Sequence, residues 1–64
     1  MDRPPLIGQA WSKFVACQSA FFEQKAEMAT HSELTSVFVD AMDGVKVTVV
    51  NDRIVHLEKV PVSR

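Results

Sequence analysis

A chain of 64 residues has room for one domain. Domains this short bury only roughly 60% of the surface they expose when unfolded, and they lean on disulfides, metals or a second copy. The single cysteine, Cys17, excludes an internal disulfide, and the two histidines, His31 and His56, belong to no spaced ligand set, so neither a metal nor a cofactor is expected. Seven basic and eight acidic side chains are spread without a basic cluster, which argues against nucleic acid as a partner, while 47% hydrophobic content excludes disorder.

The opening MDRPPLIG lacks the basic flank and apolar run of a signal peptide. No segment approaches the ~18 continuous apolar residues of a membrane span. The lone thiol fits a reducing compartment, so a cytoplasmic location is expected. The whole chain, 1–64, reads as a single domain with flexible ends at 1–4 and 61–64.

From Leu6 to Ala29 the spacing predicts a long helix. Ile7, Phe14, Phe21 and Met28 recur every seven residues, with Ala10 and Cys17 three after the first two, and Trp11, Val15 and Phe22 widen that stripe. The segment ATHSELTSVFVDAMDG predicts a short second helix. Thr30 and Glu33 have capping-box spacing; Leu34, Val37, Phe38, Ala41 and Met42 make one helical face; Gly44 suits a left-handed stop. A strand competes here, because Thr35, Val37 and Val39 are β-branched.

VKVTVVNDRIVHLEKV, Val45 to Val60, predicts a C-terminal hairpin in one of two registers. A two-residue turn at Asn51-Asp52 has good turn chemistry but mixes apolar and charged groups on one face. A three-residue loop, Asn51 to Arg53, pairs Val49 with Val55, Val47 with Leu57, Thr48 with His56, Lys46 with Glu58 and Val50 with Ile54. It segregates the faces, and segregation favours it, because a one-residue slip moves every side chain to the other side. The expected fold is thus α+β: a small α-α-β-β domain with the hairpin's valine face on the long helix.

Several residues suggest chemistry, and each has a plainer explanation. Cys17 falls on the apolar stripe as a small core residue. His56 shares a face with Glu58 but needs a substrate pocket to act as a base. Asp40 and Asp43 fall near a predicted helix C-terminus, where acids are mildly unfavourable, which hints at binding to a basic partner surface but reads more simply as a solvated face; Asp52 suits a turn. No catalytic residue is assigned. The surplus lies in apolar surface and open strand edges. Trp11, Phe14, Val15 and Phe22 exceed what one hairpin and one short helix can cover. Lys46 is the only charge guarding VKVTVV, and Arg53 stands at the hairpin tip. These six residues are the expected dimer or partner interface. The expected function is that of a small homodimeric interaction protein, an adaptor, accessory subunit or inhibitor of a larger protein. Nucleic-acid binding through the second helix of a dimer, or a small enzyme using His56 across subunits, are the alternatives.

Overall fold

The computed structural model describes residues 3–17 and 22–62. A short helix, α1 (Trp11–Ala16), precedes four strands: β1 (Glu23–Ala29), β2 (Leu34–Asp40), β3 (Val45–Val50) and β4 (Arg53–Lys59). They form one antiparallel sheet in the order β1-β2-β3-β4. The expected α-α-β-β fold is therefore wrong, and so is its α+β description: the C-terminal hairpin exists, but as half of a four-stranded meander.

Each error has a physical reason. The seven-residue spacing that suggests one long helix joins residues in different settings. Ile7 is exposed in a turn, Phe14 is buried on α1, Met28 is exposed on β1, and Phe21 lies outside the described residues. The segment EQKAEMA favours a helix by propensity, yet it pairs along its length with β2, and tertiary pairing overrides propensity. In the second segment the β-branched reading holds, because Thr35, Val37 and Val39 lie on a strand paired on both sides. Thr30 and Glu33 do bond, but only the threonine half follows the capping-box pattern: the Glu33 amide donates to Thr30 Oγ1 at 3.1 Å, while the Thr30 amide donates to the Glu33 backbone carbonyl at 2.8 Å. These bonds close the β1–β2 hairpin instead of capping a helix. Cys17, expected on a buried stripe, is exposed just past α1. Of the ends expected to be flexible, 1–4 and 61–64, residues 1–2 and 63–64 lie outside the described residues.

The β3–β4 hairpin combines both candidate registers. Asn51 (φ 49°) and Asp52 (φ 65°) form a two-residue turn with left-handed backbone at both positions, the geometry that matches strand twist. Beside it Val49 faces Ile54, not Val55. Further along, Thr48 faces His56, Val47 faces Leu57 and Lys46 faces Glu58, which is the three-residue register. Val55 is the extra residue between them, a β-bulge. The bulge reconciles turn chemistry with face segregation. Ile54 and Leu57, three apart, come to the same side as Val49 and Val47.

Following the pairings across the sheet defines two faces. The inner face carries Ser36, Phe38 and Asp40 of β2, Val45, Val47 and Val49 of β3, and Ile54 and Leu57 of β4. Every buried strand residue belongs to it: Ser36, Asp40, Val47, Val49 and Ile54. Trp11, Phe22, Phe38, Val45 and Leu57 pack around Val47, Val49 and Ile54. Trp11 stacks on Phe38 at 4.4 Å between centroids, and Phe14 and Phe22 meet it at 5.6 and 5.1 Å. Aromatic contacts of this kind add about 0.5–1.5 kcal/mol each beyond area burial.

Candidate functional site

The fold leaves the outer face of the sheet uncovered among the described residues. Its rows run Glu23–Val39–Lys46–Glu58, Ala26–Val37–Thr48–His56 and Met28–Thr35–Val50–Arg53. No residue in these rows is buried, although the three valines and two threonines at the centre shield one another. Helix α1 and its rings lie on the opposite side. Val37, Val39 and Val50 therefore form an apolar centre flanked by Ala26 and Met28, with Glu23, Lys46, Glu58, His56 and Arg53 at the margins. Aliphatic residues ringed by charge are the composition of a protein contact surface.

The edges differ from each other. On β1, Glu23–Ala29 is exposed throughout and kinked by a bulge between Gln24 and Ala26; Lys25 bonds Glu23 at 3.1 Å. Bulges and edge charges discourage stray pairing. On β4, the start of the edge is occupied by the N-terminal segment. The Gly8 amide donates to the Ile54 carbonyl at 2.7 Å, and the Ile54 amide donates to the Gln9 carbonyl at 3.0 Å. The remainder, toward Lys59, has no strand beside it among the described residues.

The turn between β3 and β4 fastens three parts of the chain together. The Asn51 side chain accepts from the Leu34 amide at 2.8 Å and donates to the Ser32 carbonyl at 3.1 Å, holding the β1–β2 loop. Asp52 accepts from the Ser12 amide at 2.8 Å and from its hydroxyl at 2.7 Å. Ala10, at the helix N-cap, supplies no side-chain cap, so the Asp52 carboxylate takes that role from the β3–β4 turn. The Ser12 hydroxyl and then the Ser12 amide hold the Asp52 carboxyl below the usual carboxylate range. A depressed folded-state pKa contributes stability that is present above the unfolded value and lost as pH falls through the folded one. Acid titration of the wild type should show a loss in this window, below the ordinary aspartate range of about 3.9. In Asp52→Asn, which tolerates the left-handed backbone, the loss should be shallower; identical acid profiles would remove Asp52 from this role.

Asp40 ends β2 with 1% exposure. Its Oδ1 accepts from the amides of Met42 and Asp43 at 3.0 and 3.2 Å, shaping the turn to β3, and its Oδ2 has no hydrogen-bond partner among the described residues. A groove of about 290 Å³ lies at the same end, lined by Pro4, Pro5, Val45, Leu57, Glu58 and Lys59.

The residues singled out in the sequence are dispersed. Phe14 is 2% exposed and belongs to the core of the single chain, whereas Trp11 and Phe22 are half-buried beside it. Val15 is exposed on α1. Lys46 lies in the outer rows, and Arg53 Nη1 donates to the Gly8 carbonyl at 2.9 Å. His56 Nε2 stands 3.8 Å from Glu58 Oε1 on the open face, and it does not line the groove. The segment expected as a second helix, the carrier of the nucleic-acid reading, is strand β2. Among the described residues no cluster of three potential metal ligands occurs, and no helix is long and apolar enough to cross a membrane. Sequence reasoning missed the valines of β2 as surface residues. Their alternation in LTSVFVD was the available signal. Comparison with known protein families, with curated proteins and with solved structures returned no match.

Proposed function

We propose that this protein is a small interaction module that self-associates and docks on a larger protein as an adaptor, accessory subunit or inhibitor. The reading rests on one observation: the face carrying Val37, Val39 and Val50 has no buried residue, while the chain's own core is small, with Phe14, Val47, Val49, Ile54 and Pro5 of the N-terminal segment as the buried apolar side chains among the described residues. An extended, partly apolar sheet face on so thin a core gains stability from any partner laid across it. The exposed lone thiol of Cys17 fits a reducing compartment, and we place the protein in the cytoplasm on that basis.

Affinity capture from the native cell tests the docking surface when wild type is compared with Val37→Lys and Val39→Glu. Both positions retain solvent in the free chain, so the variants should keep the β-sheet circular dichroism spectrum and lose the captured protein. A partner retained equally by all three proteins would remove the outer face as the docking surface.

A further inference from the structure

Given the self-association proposed above, we infer that it runs through strand β4, whose antiparallel pairing with β4 of a second copy displaces the N-terminal segment from the edge. The faces of β4 are fixed by its pairings: Arg53, His56 and Glu58 lie outward opposite Val50, Thr48 and Lys46, and Ile54 and Leu57 lie inward opposite Val49 and Val47. An antiparallel copy related by a two-fold axis must match outer with outer and inner with inner. With the bulge at Val55 kept in both copies, one register does so along nearly the whole strand. It sets Arg53 against Glu58, Ile54 against Leu57 and Val55 against His56, each pair occurring twice. Opposite charges and apolar side chains meet, and no like charges face each other. The corresponding register of β1 sets Glu23 against Met28, Gln24 against Glu27 and Lys25 against Ala26, and makes no ion pair. Charge complementarity thus selects β4 over the less obstructed β1 edge.

The segment in the way is lightly held. Between Arg3 and Gln9 only Pro5 is buried, and Leu6 and Ile7 are 62% and 61% exposed in a turn closed by the Gln9 amide on the Leu6 carbonyl. Its bonds to β4 are the two backbone bonds at Ile54 and the Arg53 guanidinium on the Gly8 carbonyl. Segments with few buried apolar contacts open at low cost relative to the core. A second β4 offers Ile54 the same donor and acceptor, adds the Arg53–Glu58 pairs, and extends the outer face into one continuous surface shared by two copies.

Sedimentation equilibrium on the full chain tests this with four proteins: wild type, Arg53→Glu, Glu58→Arg and the double variant, their folds checked by circular dichroism. Each single substitution puts like charges together twice and should weaken the dimer about tenfold. The double variant restores opposite pairs. An equimolar mixture of the two single variants should form a heterodimer at wild-type strength, because both of its cross-strand pairs are then complementary. Loss of the Arg53 bond to Gly8 acts within one chain and would not be rescued by mixing. If the single variants dimerise as well as wild type, or the mixture shows no rescue, β4 is not the interface although self-association stands. If no protein in the set dimerises, the self-association reading falls as well.

Discussion

Ile54→Ala should lower stability by about 2–5 kcal/mol, while Val55→Ala next to it should change stability by no more than about 0.5 kcal/mol. Ile54 is fully buried and touches the centre of the inner face, whereas Val55 is 47% exposed. Apart from Pro5, the buried apolar side chains among the described residues are Phe14, Val47, Val49 and Ile54, so the truncation removes a large share of the core. The contrast tests the bulge directly. In an uninterrupted three-residue-loop hairpin, Val55 would face Val49 inside and Ile54 would face Val50 outside, and the two effects would exchange places. Urea denaturation of both variants, with unchanged slopes, supplies the measurement.

Gly44→Ala is the second large effect. Gly44 has φ +71°, and a Cβ placed there would stand 2.7 Å from the Val60 carbonyl oxygen and 2.8 Å from a Val62 methyl. The carbonyl belongs to backbone that accepts no easy shift, since the Val60 amide also donates to the Gly44 carbonyl at 3.0 Å. Left-handed strain and overpacking each contribute about 1–3 kcal/mol, so a loss of roughly 2–5 kcal/mol is expected. Gly8 provides the control. It has φ +90°, but a methyl added there would meet nothing within 4 Å, so Gly8→Ala carries the conformational cost alone. Equal losses at the two glycines would show that the contact with the C-terminal segment is not made in solution.

The hairpin is legible because its valines alternate and its tip offers Asn-Asp, two residues that tolerate left-handed backbone. Its register is not, since turn chemistry and face segregation point to different pairings and only the extra residue, Val55, satisfies both. The β1 strand is illegible for a different reason: Glu, Gln, Lys, Ala and Met are good helix formers, and the information that makes them a strand sits in β2. Thr30, Glu33 and Gly44 do mark places where the chain turns, because a local side-chain bond and a positive φ leave local signals. Whether a helix or a strand stands beside such a turn is a long-range matter. The clamps made by Asn51 and Asp52 reach segments 17 to 40 residues away and leave no pattern in the sequence.

The candidate site follows the same division. Lys46 and Arg53 stand out from their place on the hairpin, and both do lie at the margin of the outer face. The aromatic residues read as surplus in the sequence, but strand β2 helps to absorb them: its Phe38 stacks on Trp11, and Phe14 is enclosed. The surplus surface lies instead at Val37, Val39 and Val50, which only the meander brings side by side.

The claim that this sheet is built to be shared is tested most directly by sedimentation velocity on the unmodified chain over a wide concentration range. A reversible rise from one copy to two as concentration increases is the expected result. A sedimentation coefficient that stays at the value of one copy up to the solubility limit would contradict it.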